Sequence, residues 1–265
     1  MRRAALILIV ILIAAAANGQ IVVTRGPVPQ LLIPAAGAQQ GANNSFFRSD
    51  ITIISYRGVD QRVRLQWLPQ NVSGAGVAPV DITINAASGI ASEDFVTNVM
   101  QMSGLGAILV TGIDSTGTPD PSALLVATSR IWTQEPGSSG TESQSLPSIA
   151  TTDIASGLVT ILGARREVRY RTNVGIVNLS NTTQTFQVTA GGSFGSDTRQ
   201  ITVAPMSMNL SAVTGASSTT PLQIQVVNLG PPPRTTFWIT YASSIDNITD
   251  DAWTTLGFNS GPPPP

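Results

Sequence analysis

Phe47-Arg48-Ser49-Asp50-Ile51-Thr52-Ile53-Ile54-Ser55, set beside Tyr170-Arg171-Thr172-Asn173-Val174-Gly175-Ile176-Val177-Asn178, decides the fold, because the chain writes nearly the same strand twice. The offset is 170 − 47 = 123, and it also carries Val63-Arg64-Leu65-Gln66 onto Phe186-Gln187-Val188-Thr189. Past that hairpin the register shortens. Ile82-Thr83-Ile84 matches Ile201-Thr202-Val203 at 201 − 82 = 119, and Ala127-Thr128-Ser129-Arg130-Ile131 matches Tyr241-Ala242-Ser243-Ser244-Ile245 at 241 − 127 = 114. A repeat of roughly 110 to 120 residues is the size of a small domain, far longer than a solenoid unit. The reading is therefore two tandem domains, 20–150 and 151–258, divided in the Ser/Thr/Ala stretch before Leu158.

Within each unit the apolar signal has period two. Phe47, Ser49, Ile51 and Ile53 share one strand face, as do Val63, Leu65 and Trp67 on the next run. Val, Ile and Thr fill these runs, and Gly, Pro, Ser and Asn punctuate them at intervals of about 10 to 20 residues. That is the pattern of an all-β protein, each unit a sandwich of antiparallel sheets. One short helix is expected in the first unit, capped by Ser92, with Glu93 and Asp94 in its first turn and Phe95, Val99 and Met102 on one side.

A strand reading FFRSDITIIS, a hairpin, a later strand LLVATSRIW, and a second copy opening RTNVGIVN and closing YASSIDN together resemble uncharacterised paired β-sandwich modules of predicted secreted bacterial proteins. The resemblance covers about the whole chain after its leader. It implies two tandem Ig-like sandwiches and export, and it brings no catalytic residues.

Composition narrows the chemistry. The 265 residues include 14 basic ones, all arginine, against 15 acidic, with no Cys, His or Lys, and only 11% of the chain is charged. A nearly neutral chain of 42% hydrophobic residues is globular and has no basic excess to draw nucleic acid. Met1-Arg2-Arg3, the apolar run Ala4 to Ala17 and the small residues around Ala17 and Gly19 read as a signal peptide, 1–19; the run is shorter than the roughly 20 residues a membrane span needs. The expected destination is outside the cytoplasm, secreted or at the cell surface, with no membrane anchor after cleavage. No disulfide supports the exported chain, so its stability rests on packing.

Without His, Cys or Lys the usual general bases, thiolates and Schiff-base amines are missing. Gly191-Gly192-Ser193-Phe194-Gly195 fits the G-x-S-x-G nucleophile pattern, yet no histidine exists to accept the serine proton, so a glycine-rich hairpin tip is expected. No enzymatic activity and no resident cofactor is expected. Two oxygen-rich loops suit calcium, residues 114–120 and, better, Asp246, Asn247, Asp250 and Asp251, although such Asx-rich turns are also ordinary β-protein chemistry. Arg48 with Asp50, repeated as Arg171 with Asn173, project from one strand face and read as a surface ion pair guarding an edge.

Of the four tryptophans, Trp67 and Trp238 belong in cores, while Trp132 and Trp253 near strand ends are the candidates for stacking on sugar rings. Ile21, Val22 and Val23 form an apolar extended segment able to pair with its own sheet or to donate a strand to a neighbour. Residues 259–265 read as a Pro-rich tail. The expected function is structural or adhesive, exerted on a protein or glycan surface. A carbohydrate-binding module and a self-associating filament subunit built by strand donation are the alternatives.

Overall fold

The structure is a computed structural model that describes residues 26–41, 45–135, 137, 139–153, 157–230 and 237–261. Residues 1–19, read as a signal peptide, the segment Ile21, Val22 and Val23, and residues 262–265 lie outside the described residues. The chain's regular structure is almost all β-strand among the described residues. The first set is β1 (Gln30–Gln40), β2 (Phe46–Ser55), β3 (Gln61–Pro69), β4 (Val80–Ile84), β5 (Gly89–Ser92), β6 (Gly104–Ile113), β7 (Leu125–Gln134), β8 (Thr141–Pro147) and β9 (Ile149–Ala150). The second set is β10 (Leu158–Ala164), β11 (Tyr170–Asn178), β12 (Gln184–Gly192), β13 (Gly195–Val203), β14 (Ser207–Ala212), β15 (Leu222–Asn228), β16 (Trp238–Asp246), β17 (Ala252–Leu256) and β18 (Phe258–Gly261).

One pairing diagram is drawn twice. In the first set β4-β3-β6-β1 form one layer, extended by β9, and β5-β2-β7-β8 the other, joined where β1 and β2 meet at Gln40 and Phe46. In the second set β13-β12-β15-β10-β18 and β14-β11-β16-β17 repeat that order. Registers agree residue by residue. Val63 opposite Ile82 recurs as Phe186 opposite Ile201, and Leu31 opposite Val110 recurs as Val159 opposite Val226. A one-residue register shift falls after Ile33 in β1 and after Leu162 in β10.

Three expectations need correction. The match at 114 is one residue off: Ile53 faces Ala127, its equivalent Ile176 faces Thr240, and 240 − 127 = 113. Strand faces alternate, so a slip of one residue exchanges core for surface. Residues 259–261 are not tail: they lie in β18 on β10, with the Ser260 hydroxyl bonded to Thr160 at 2.6 Å and to the Leu158 carbonyl at 3.2 Å. β18 is the counterpart of β9. The expected helix shrinks to α1 (Phe95–Asn98), so Glu93 and Asp94 precede it instead of filling its first turn.

The strand order departs from an immunoglobulin sandwich at its flanks. β2 pairs with β5 and β3 with β6, as strands B–E and C–F do; but the first strand lies beside the sixth and the seventh beside the second, where an immunoglobulin sandwich places A beside B and G beside F.

Each sandwich has its own core. Leu31, Ile33, Ile51, Ile53, Val63, Leu65 and Phe95 fill the first, and Val159, Ile161, Val174, Ile176, Phe186, Val188 and Trp238 the second. A third apolar cluster joins the two. Leu32, Leu68 and Ala107, on the outward face of the β4-β3-β6-β1 layer, pack on Val177, Met208, Ile239 and Tyr241 of the β14-β11-β16-β17 layer. Four layers thus stack, the middle two forming most of a seam to which Leu146 of β8 and Ile131 of β7, from the outer layer of the first sandwich, also contribute. Around its rim the Gln144 amide donates to Thr254 and accepts from Ser243, each at 2.8 Å, and Ser207 donates to the Pro69 carbonyl at 2.8 Å. Asn71 and Met206, both at the seam, hold left-handed φ of 64° and 47°.

The seam explains where the copies diverge. On the free face of the first sandwich Asp50 stands opposite Arg130; the equivalent pair in the second is Asn173 opposite Ser243, on the face that is covered. Burying an ion pair costs more desolvation than a neutral hydrogen-bonding pair, so the covered copy has lost its charges. Likewise β16 is buried from Trp238 to Ser244, having a core on one face and the seam on the other.

Candidate functional site

The turn from Asp246 to Asp251 closes the β16–β17 hairpin at one end of the second sandwich. Asp246 is buried, and its Oδ2 accepts from Arg169 Nε at 2.7 Å, with Arg169 Nη2 at 2.6 Å. Its Oδ1 accepts the Ile248 N–H at 2.9 Å. The Arg169 guanidinium, by hydrogen bond first, holds this carboxyl below the usual carboxylate range. Asn247 accepts from Arg171 at 2.6 Å, and Asp250 lies 3.3 Å from the same guanidinium. Asp251 is exposed and accepts the Asp246 N–H through its backbone carbonyl at 2.9 Å. Of the four residues proposed as calcium ligands, three are thus engaged by arginine, and among the described residues no three acidic side chains gather as a metal site.

The other oxygen-rich loop is equally self-contained. Asp114 accepts from the Thr116 hydroxyl at 2.7 Å, with Thr116 N–H at 2.8 Å and Thr118 N–H at 3.0 Å, and these bonds lower its carboxyl. Asp120 takes Ser122 at 2.6 Å and Arg57 at 2.6 Å.

The two tryptophans proposed for stacking belong to different sandwiches and do not form a common platform. Trp132 is half-buried on β7, directly opposite Arg48; its indole N–H donates to the Glu93 carbonyl at 2.9 Å, and the Arg48 guanidinium sits 5.5 Å from its ring. Arg48 also covers Phe46 at 4.8 Å and pairs with Asp94 at 3.4 Å. Trp253 on β17 meets Tyr170 edge-on, ring centroids 5.8 Å apart at 79°, while Arg165 and Arg169 each lie 5.3 Å from the Tyr170 ring. Trp253, Tyr170, Arg169, Asp246 and Asp251 line a shallow groove of about 430 Å³. Trp67 and Trp238 are core residues, 3% and 0% exposed.

A second groove, of about 450 Å³, was not foreseen. It runs over the outward face of β12 and β15 past Thr189, Gly191, Gly192, Gln223 and Gln225, with Ser193 and Thr220 at one end. Gly192 and Gly195 face each other across a turn of Ser193 and Phe194, the hairpin tip expected of this glycine-rich stretch; Gly195 has φ 103°, which suits glycine. Ser193 exchanges a hydrogen bond with Ser218 at 2.8 Å. No outward residue of β10, β12, β13 or β15 is Asp, Glu or Arg. The signal was present in the sequence as Thr185-x-Gln187-x-Thr189 and Gln223-x-Gln225, polar alternation without charge. Comparison with protein-family models, curated proteins and solved structures finds no match to this chain.

Proposed function

We propose that this chain is an exported, non-enzymatic structural or adhesive protein, a rigid block that acts at a surface outside the cytoplasm. The observation that carries the reading is the seam. A buried apolar layer containing Leu32, Leu68, Val177, Met208, Ile239 and Tyr241 fixes one sandwich on the other, so the two outermost sheets are held at opposite ends of one body. Apolar burial of this kind contributes on the order of 1.5–3 kcal/mol per large side chain, enough to resist hinge motion between the halves. Shallow grooves and sheet faces suit contact with an extended partner better than enclosure of a small substrate. The leader supports export, and the lack of His, Cys and Lys supports a role without catalysis.

The test is made in a bacterial host expressing the chain with its own leader. Mass spectrometry of the exported fraction should find a mature N-terminus just after Ala17 or Gly19, and beads coated with the purified protein should adhere to cell-envelope or matrix preparations. A full-length chain retained in the cytoplasm, or beads that adhere to nothing, would sink the proposal.

A further inference from the structure

The groove on β12 and β15 has an internal counterpart with a known occupant. The offset of 123 between β3 and β12 puts Gly191 where the first sandwich has Leu68 (191 − 68 = 123). Between β6 and β15 the offset is 116, which puts Gln223 and Gln225 at the places of Ala107 and Leu109 (223 − 107 = 116). Between β1 and β10 Thr160 takes the place of Leu32 (160 − 32 = 128). Those apolar residues of the first sandwich are the ones that enter the seam and receive Met208 and Tyr241. The second sandwich carries the same patch on its free end, with the leucines and alanine replaced by glycine, threonine and glutamine.

Solubility alone does not account for that choice. The other free end of the block is kept in water by charge, through Arg48, Asp50 and Arg130. This end uses none. One row crosses all five strands, Thr198, Thr189, Gln225, Thr160 and Phe258, each directly opposite the next. Thr198, Thr189 and Gln225 present hydroxyls and an amide, which both donate and accept; Thr160, 4% exposed, spends its hydroxyl on Ser260, and Phe258, 50% exposed, ends the row. Leu162, 51% exposed, lies one row away beside Gln223.

We propose that this face, centred on Gln225 and the groove beside Gly191, binds a neutral polysaccharide. Sugar hydroxyls are donors and acceptors at once, as the side chains of the row are, and the C–H face of a pyranose suits the exposed Phe258 ring. A charged ligand would be desolvated against a surface offering no counter-charge. A flat row with a shallow groove fits an extended chain and not an isolated monosaccharide. A second copy of the protein is disfavoured because the leucines that make the seam are missing here. The inference rests on the adhesive reading and names its ligand class.

The test uses the purified mature chain. Retention is measured on insoluble cellulose and chitin, and by affinity electrophoresis in gels containing a soluble neutral β-glucan, with polygalacturonate as the charged control. Gln225→Glu and Gln223→Glu place a charge on the row, and Thr128→Glu places one on the opposite free face. Melting curves establish that all three fold. At least one neutral polymer should retain the native chain and Thr128→Glu alike, and Gln225→Glu should weaken retention about tenfold or more. Failure on every neutral polymer, equal retention of Gln225→Glu, or retention on polygalacturonate would overturn the assignment. So would a dimer in light scattering that Gln225→Glu dissociates, which would make the face an interface between copies. Adhesion of coated beads that is indifferent to Gln225→Glu overturns this assignment and leaves the adhesive reading standing; loss of all adhesion removes both.

Discussion

Replacing Tyr241 by phenylalanine should stabilise the protein, and more so as the solution becomes alkaline. Tyr241 is 1% exposed in the seam, and its ring lies flat over Gly175, the residue opposite it on β11. A side chain at Gly175 would collide with the phenol, so this glycine is what lets the ring enter. The hydroxyl is buried without a hydrogen-bond partner. An unpaired buried polar group costs about 1–3 kcal/mol, and phenylalanine keeps the shape while removing it, so a net gain of about 1 kcal/mol is expected at pH 7. For a protein of this size that is about 2–4 °C in Tm. Burial also pushes the Tyr241 hydroxyl above its ordinary value near 10. Below about pH 10 the phenol is neutral in both states and its contribution is constant. As the pH climbs further the unfolded tyrosine ionises while the folded one stays protonated, and stability falls by up to about 1.4 kcal/mol per pH unit. Tyr241→Phe lacks that loss. Guanidinium midpoints at pH 7 and pH 11 check both parts: the variant should lead at pH 7, and its lead should widen at pH 11. A variant less stable than the native chain at pH 7, or a gap that stays constant with pH, would refute the reasoning.

Further outcomes follow from the same contacts. Gly175→Ala should cost about 1–3 kcal/mol by overpacking, read from denaturant midpoints, and pairing it with Tyr241→Ala should recover part of that loss. Asp246→Asn should lower the thermal midpoint at neutral pH. Because the Asp246 carboxyl is lowered in the folded state, its contribution is present above about pH 4 and lost as the pH falls through the folded value, so the two proteins should converge in strong acid. Met208→Asp, placing a charge in the seam where Met208 is 0% exposed, should cost at least about 2–3 kcal/mol and split the single unfolding transition into two in calorimetry. Millimolar calcium should leave the midpoint unchanged, since Arg169 and Arg171 already hold Asp246, Asn247 and Asp250; a rise of several degrees would show that the cation displaces them.

The all-β architecture was legible because strand faces alternate, and a stretch such as Phe186-Gln187-Val188-Thr189 states both its buried and its exposed side. The seam was less so. β1 and β16 are buried on both faces, and in β16 Thr240, Ser243 and Ser244 interrupt or follow Trp238, Ile239, Tyr241 and Ala242, so no long apolar run marks it. The same mixture hid the register, which is why Tyr241 was matched one residue away from its true equivalent, Thr128. β18 was missed because Phe258-Asn259-Ser260-Gly261 lacks alternation and runs into proline; its place is fixed by main-chain pairing to β10, which sequence does not display. At the candidate sites, residue types were visible and partners were not. Asp246 and Asp250 read as cation ligands until Arg169 and Arg171, about 77 positions earlier, are brought onto them by the β11–β16 pairing. The groove on β12 and β15 was overlooked because glutamine and threonine announce no chemistry singly; meaning comes from the row they make across five strands and from the seam residues they replace.

Small-angle X-ray scattering of the purified chain from residue 20 onward tests most directly whether the two sandwiches are one block. A body docked through Leu32, Leu68, Met208 and Tyr241 should give a radius of gyration of about 18 Å and a single-peaked distance distribution. A markedly larger radius with a shoulder in that distribution, unchanged by Met208→Asp, would mean that the halves move independently and that the seam does not hold them.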